Sequence, residues 1–299
     1  MQTIKIGTRK SELALKQANN VGASIEKLGG TYELVLIQSV GDIDLKTPLH
    51  EIGFTGVFTK ALDMALLNGD IDIAVHSLKD VPTELPKGIV QAAVIKRDNP
   101  IDILVTKEAL NLATKLTIAT GSIRRKAQWL HKYPAHQIVG LRGNVHTRLQ
   151  KLADSEWSGA IFSHSGLDRV DLIPVHHIEL NWMTPAPAQG VVTISIAEAN
   201  VALMPFIQQL NHAETALITQ IERDFLNELE GGCSAPIGAL ASIEKDTVRF
   251  KGVLTAPDGK QQFEIEETIK MDQVVDFGRK CAQSILAKGG AEIMKELQN

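Results

Sequence analysis

The sequence predicts an α/β protein of more than one domain. Short runs of strand length and β-branched content, TIKIG, ELVLI, IDIAVHS, LTIAT, QIVGL and GAIFS, are separated by segments with helical apolar spacing. At 299 residues the chain is longer than one core usually serves, so two or three domains are expected. Hydrophobic residues make up 44% and charged residues 22%, an ordinary globular composition rather than a disordered or membrane one.

The first helix follows TIKIG: Ser11 caps it, and Ala14, Ala18, Val21, Ile25 and Leu28 then recur on one face. Phe58, Ala61, Leu62, Ala65 and Leu66 repeat that pattern. Charge, Asn and Pro interrupt the apolar pattern at KRDNP, residues 96–100, and again at MTPAPAQG, residues 183–190, which makes both stretches candidate hinge crossings. From Asn211 the text reads N-x-x-E, a variant capping box. Leu217, Ile221, Phe225 and Leu229 follow on one helical stripe ending at Gly231-Gly232. VRFKGVLTAPDGKQQFEIEE then reads as a hairpin about Pro-Asp-Gly, closed by an amphipathic helix, which gives a small α+β unit. No internal repeat or low-complexity tract is visible.

Several function classes are disfavoured. The N-terminus, MQTIKIGTRK, enters a strand pattern at once, with no signal-peptide core and no spanning segment after it, so a cytosolic location is expected. A formal net charge of −4 gives no general bias toward nucleic acid or anionic membrane, and only 4% of residues are aromatic, few for stacking on bases. Phosphate-loop, dinucleotide, HExxH and GxSxG motifs do not occur. His176 and His177 are adjacent and would face opposite ways on a strand, which disfavours a shared metal. The two cysteines, Cys233 and Cys281, lack CxxC spacing. Cys281, near Val274, Phe277 and Ile285, reads as core.

Three turns share one oddity: a strand runs into basic residues at the start of a helix, in GTRKS (7–11), TGSIRRKAQWL (120–130) and LRGNVHTRL (141–149). Arg124, Arg125 and Lys126 oppose the helix macrodipole there, so something anionic should compensate. A polyanionic ligand at these turns is the sharper reading, and a solvated basic face the plainer one. HSLKDVP (76–82) puts Lys79 and Asp80 at a strand's carboxyl end, suited to proton transfer or to stabilising a cation, or else to a surface ion pair. Finally, LEGGCSAPIG sets Cys233 among Gly, Ser and Pro, where a thiolate is accessible for covalent work.

These motifs together, with PAPAQG and ETALITQIERDFLNELEGGCSAPIG, resemble the porphobilinogen deaminase (hydroxymethylbilane synthase) family along essentially the whole chain. The resemblance implies two α/β domains similar to periplasmic binding proteins and a small C-terminal α+β domain. The expected division is residues 1–95 with 190–209, then 100–184, then 213–299. It implies a covalent dipyrromethane cofactor on Cys233 through a thioether, Asp80 as the catalytic acid, and no metal. Cofactor contacts would come from Lys79, Ser77, Thr120, Ser122, Arg124, Arg125 and Arg142, and substrate contacts from Arg9, Ser11, Lys60, Arg148 and Gln189. The substrate would be porphobilinogen, four units of which are joined with loss of ammonia and released as hydroxymethylbilane. A cytoplasmic monomer with no nucleic-acid or membrane partner is implied as well.

The match departs at Thr55, where the family often has lysine, at Gly121 for a common serine, at Ala188 for glycine, and at His146 for a small residue. A non-catalytic small-anion binder on the same two-lobed scaffold is the competing reading, since fold alone does not separate binders from enzymes. Asp80 and the Cys233 segment are features that a simple binder does not need.

Overall fold

A computed structural model describes residues 3–39, 58–229 and 235–298. Cys233, Thr55 and the Gly231-Gly232 helix end lie outside the described residues. The first lobe begins with β1 (Ile4–Thr8), helix α1 (Glu12–Lys27), β2 (Tyr32–Leu36), helix α2 (Lys60–Asn68), β3 (Ile73–Ser77) and β4 (Ile89–Val94). Alternation along the strands sends Ile4, Ile6, Ile73 and Val75 to one core, with Ala18, Val21 and Ile25 of α1. Ala74 and Ile89 pack on the opposite face with Leu62, Ala65 and Leu66 of α2. Both faces are thus covered, as a largely buried sheet requires. Leu28 departs from the predicted stripe: it caps the C-terminus of α1 and is 38% exposed.

The chain then crosses to a second lobe: β5 (Asp102–Thr106), β6 (Thr117–Ala119), α3 (Ile123–Lys132), β7 (Gln137–Val139), α4 (Val145–Asp154), β8 (Gly159–Ser163), α5 (His164–Asp168) and β9 (His177–Glu179). It returns through residues 180–191 to β10 (Val192–Ala197), which completes the first sheet. The first sheet has the order β2-β1-β3-β10-β4 and the second β7-β6-β8-β5-β9. In each, the first three strands are parallel and the last two alternate in direction. One topology therefore occurs twice, although no repeat is visible in the sequence. The antiparallel strands β5 and β10 are those reached directly from the crossings.

The last unit carries α6 (Ala213–Glu228), an antiparallel sheet β11 (Ile237–Glu244), β12 (Thr247–Thr255) and β13 (Gln262–Lys270), then α7 (Phe277–Ile285) and α8 (Ala291–Gln298). The hairpin between β12 and β13 turns at the predicted Pro-Asp-Gly. Ile221, Phe225 and Leu229 form one core with Phe250, Phe277 and Cys281. Burial pushes the Cys281 thiol up to about 12, so it stays protonated as a packing group. The capping expectation is corrected: His212 caps α6, its Nδ1 accepting the Thr215 N–H at 3.2 Å. Asn211 is engaged elsewhere, its Oδ1 accepting the Val94 N–H of β4 at 2.8 Å.

A buried ion pair ties this unit to the first crossing. Arg97 Nη1 and Nη2 donate to the two Glu222 oxygens at 2.6 and 3.0 Å. Glu222 also accepts the N–H groups of Ala188 and Ala241, each at 2.7 Å, so its charge is spread over both crossings and β11. Ala188 has φ +59°, a left-handed conformation that costs a residue with Cβ about 1–2 kcal/mol, and its bond to Glu222 helps hold it there. Among the described residues, no helix is long and apolar enough to cross a membrane.

Candidate active site

Each predicted polar turn follows the carboxyl end of a parallel strand, where open α/β sheets present ligand sites. After β1, Ser11 Oγ accepts the Ala14 N–H at 3.3 Å as the cap of α1. The Arg9 guanidinium lies 4.3 Å from the centre of the Phe58 ring. After β3, a single 3-10 turn, Leu78–Asp80, is pinned by fully buried Leu78 and leaves Lys79 and Asp80 half-buried. Ser77 Oγ accepts from Gln17 of α1 at 2.9 Å. Arg223 of α6 grips the turn from behind, donating to the carbonyls of Leu78, Val81 and Pro82.

In the second lobe Thr120 Oγ1 accepts the Ser122 N–H at 3.2 Å, and Ser122 Oγ caps α3 by accepting the Arg125 N–H at 3.4 Å. A Cβ on Gly121 would meet the Leu141 carbonyl oxygen at 2.4 Å, so a serine there would push apart the two turns that carry Arg124 and Arg142. Arg124 and Arg125 are buried on one carboxylate: Arg124 Nη1 donates to Asp102 at 2.8 Å, and Arg125 Nη2 to its other oxygen at 2.8 Å. The anion expected at this helix start is thus partly internal to the protein.

Gln189 joins the lobes. Its Nε2 donates to Asp102 at 2.8 Å and to the Pro100 carbonyl at 2.7 Å, and its Oε1 accepts from Lys79 Nζ at 3.2 Å. Burial alone would raise the Asp102 pKa, but Arg124 and Arg125 overturn that and hold the carboxyl well below its usual range. Lys79 is depressed to about 8, chiefly by burial, with neighbouring Arg125 and Arg124 adding to it and Asp80 and Asp102 opposing it. Arg148 is lowered to about 10, first by burial and then by Arg125 and Arg142, with Asp80 acting against them. His76, lowered to about 4 by burial and by Arg9, stays neutral near pH 7.

Cations from both lobes therefore lie close enough to perturb one another around Asp80. Lys60 is the exposed first residue of α2. Such a donor set suits a ligand with several carboxylates, which would relieve the repulsion that Lys79 and Arg148 each receive from Arg125.

Comparison with known proteins agrees. The family model "Porphobilinogen deaminase, dipyromethane cofactor binding domain" matches residues 4–204, and "Porphobilinogen deaminase, C-terminal domain" matches residues 216–287. The chain belongs to the porphobilinogen deaminase family. A relative named chloroplastic porphobilinogen deaminase, from Oryza sativa subsp. japonica, is 38% identical over 99% of this chain and 86% of its own. A porphobilinogen deaminase from a Nitratiruptor species is 38% identical over 99% of this chain and 97% of its own. Among solved structures, the methionine binding protein MetQ aligns at TM-score 0.45 and 16% identity, covering 70% of this chain and 89% of that one. By membership the protein is a transferase of the hydroxymethylbilane synthase class, and its cofactor is dipyrromethane.

Sequence reasoning missed four residues of this porphobilinogen deaminase site. Asp102 and Glu222 hold Arg124, Arg125 and Arg97, while Arg223 braces the Asp80 turn. Arg169 donates to Asp98 at 2.8 Å and to the Gly190 carbonyl at 2.7 Å, and lines a narrow crevice with Ser77, Lys79, Ser163 and Ser165. Only Asp102 left a trace, a charged residue opening the apolar run DILVT.

Proposed function

We propose that the protein joins four porphobilinogen molecules head to tail, with loss of ammonia, and releases hydroxymethylbilane, with Asp80 moving the proton and Cys233 anchoring the cofactor. The observation that carries this reading is the convergence of the Lys79-Asp80 turn of one lobe with the arginine turns of the other. When bound, the dipyrromethane supplies the pyrrole end that is extended. Lys79, Ser77, Thr120, Ser122, Arg124, Arg125 and Arg142 would hold it, and Arg9, Ser11, Lys60, Arg148 and Gln189 would receive the incoming substrate's carboxylates.

Asp80, braced by Arg223 and flanked by cations, protonates the leaving amine and then, as a carboxylate, faces the positive charge that develops. The non-catalytic binder is not favoured, since the chain is a family member and contains the Lys79-Asp80 turn. A monomer acting in the cytoplasm on this small molecule, without nucleic acid or membrane, is the reading that the family resemblance supports.

Intact mass under denaturing conditions, followed by peptide mapping, tests the anchor. The expected excess is two porphobilinogen units less two ammonias, located on Cys233, and absent from Cys233→Ala, which is inactive. An unmodified Cys233 after incubation with porphobilinogen would sink the assignment.

A second expectation concerns pH. The Lys79 cation is present below about pH 8 and lost above it, so its hold on the cofactor's carboxylates weakens and kcat falls above that pH. Lys79→Arg, which keeps its charge, removes that limb of the profile. Folding moves the other way: between about 8 and 10.5 the unfolded chain holds the proton that the folded chain has lost, so this group favours folding increasingly as pH rises. A kcat that is flat to pH 10 in the unsubstituted enzyme counts against the assignment.

A further inference from the structure

Two charged contacts bridge the lobes beside the cleft, and both start from one face of α1. Glu12, in the first turn of α1, meets His146 Nε2 in the first turn of α4. One helical turn further along α1, Lys16 Nζ lies 3.4 Å from Asp171, just past α5. The partners are 134 and 155 positions apart in the chain and belong to different lobes.

Each partner sits on a fixed support. Ala18, Val21 and Ile25 hold α1 in the core of the first lobe. Leu149 and Leu152 pack α4 into the second, and Asn144 Oδ1 caps it by accepting the Thr147 N–H at 2.9 Å. The Asp171 turn is closed on α5: the Asp171 N–H donates to the Asp168 carbonyl and the Leu172 N–H to the Leu167 carbonyl, each at 3.0 Å. Separating the lobes therefore breaks both contacts. It also parts the predicted ligand donors, because α1 follows Arg9 and Ser11, while α4 follows Arg142 and carries Arg148.

The charged groups near this end of the two helices are Arg9, Lys10, Glu12 and Lys16 on the α1 side and Arg142, Arg148 and Lys151 on the α4 side, with Asp168 and Asp171 at α5. Most are engaged elsewhere. Arg148 Nε and Lys151 Nζ donate to the carbonyls of Gly143 and Arg142 at 2.7 and 3.0 Å, Lys16 meets Asp171, and Arg9 lies over the Phe58 ring. Glu12 is the carboxylate that His146 meets.

We propose that Glu12 and His146 form a proton-dependent latch that holds the cleft closed over its ligand. A histidine ordinarily changes charge between about pH 5 and 8. With His146 protonated the contact is an ion pair, and with it neutral only a hydrogen bond remains. Closure is thus favoured at the acid end of that range and relaxed at the alkaline end. His146 stands where the family usually has a small residue, so the latch belongs to this chain. The inference rests on the reading that porphobilinogen occupies this cleft, and it involves neither Asp80 nor Cys233.

The test is steady-state kinetics of the holoenzyme from about pH 5.5 to about pH 8.5. Each variant is compared with the unsubstituted enzyme at the same pH, so that titration of Lys79 and of porphobilinogen cancels. His146→Ala raises KM for porphobilinogen about two- to fivefold at the acid end, the reach of one exposed ion pair, and leaves it unchanged at the alkaline end. Neither partner touches the reacting atoms, so kcat stays within about twofold. Glu12→Gln reproduces the effect, and the double variant is no worse than either single one. His146→Lys keeps a positive charge throughout and retains the low KM to the alkaline end, a rescue that packing alone does not give. Lys16→Gln, which breaks the neighbouring tie, raises KM by the same factor at both ends.

A His146→Ala effect that is absent or equal at both ends of the range overturns the latch. Additive single effects do so too, as does a His146→Lys enzyme that behaves like His146→Ala. Arg148→Gln separates the two readings. If its KM is unaltered at every pH, porphobilinogen binds outside the cleft and the latch falls with that reading. If its KM rises while His146→Ala shows no pH-dependent effect, the latch alone is overturned.

Discussion

Asp80→Asn lowers kcat for porphobilinogen consumption by about 10²–10⁴-fold while the protein stays folded, the loss typical of a missing positioned proton donor and acceptor. The substitution nearly preserves shape, and it takes away only the proton and the charge. Among the described residues the turn is held without that carboxylate: Leu78 is fully buried, and Arg223 binds the carbonyls of Leu78, Val81 and Pro82. The melting temperature therefore moves little. Because Asn can still donate and accept hydrogen bonds, substrate capture by the surrounding cations survives, and KM changes far less than kcat. Steady-state kinetics alongside thermal unfolding separates these effects. Full activity in Asp80→Asn would remove the residue from the chemistry. An equal fall in activity and stability would make it structural. Arg223→Lys provides a second comparison, since it loosens the turn and leaves Asp80 in place.

Local pattern made the elements of the fold legible. The six apolar runs became strands, Ser11 caps the first helix as its spacing predicts, and Pro-Asp-Gly turns the last hairpin. Strands β5 and β10 were harder to read because DILVT and VTISIA are buried along their whole length and lack alternation. The doubled sheet topology was invisible, since it lies in the order of pairing and not in any repeated string. At the site, residue types that are odd in their local setting, such as Arg124 and Arg125 at a helix start or Lys79-Asp80 at a strand end, stood out. Their partners did not. Asp102, Glu222 and Gln189 are ordinary polar residues in sequence, and they acquire their meaning from groups brought to them from 19 to 125 positions away. His212 shows the same limit on a smaller scale, for only tertiary structure decides that Asn211 serves β4 and leaves the cap to its neighbour.

Asp102 is where the internal partner of the arginines has its largest expected effect. Its side chain is fully buried and shared by two guanidinium groups and the Gln189 amide. Replacing it with Asn leaves two buried cations facing a neutral group, and removing one partner of a buried pair typically costs about 3–5 kcal/mol. Denaturant unfolding of apoprotein Asp102→Asn should show a loss of that size. The cleft adds a second, more specific expectation. If Arg124 and Arg125 also receive carboxylates of the cofactor, a loaded protein returns to them part of the negative charge that the variant lacks. Cofactor attachment then stabilises Asp102→Asn more than it stabilises the unsubstituted enzyme, and the gap between the two narrows on loading. A constant gap would confine these arginines to a structural pairing with Asp102, leaving Lys79, Arg142 and Arg148 as the cations that meet the ligand.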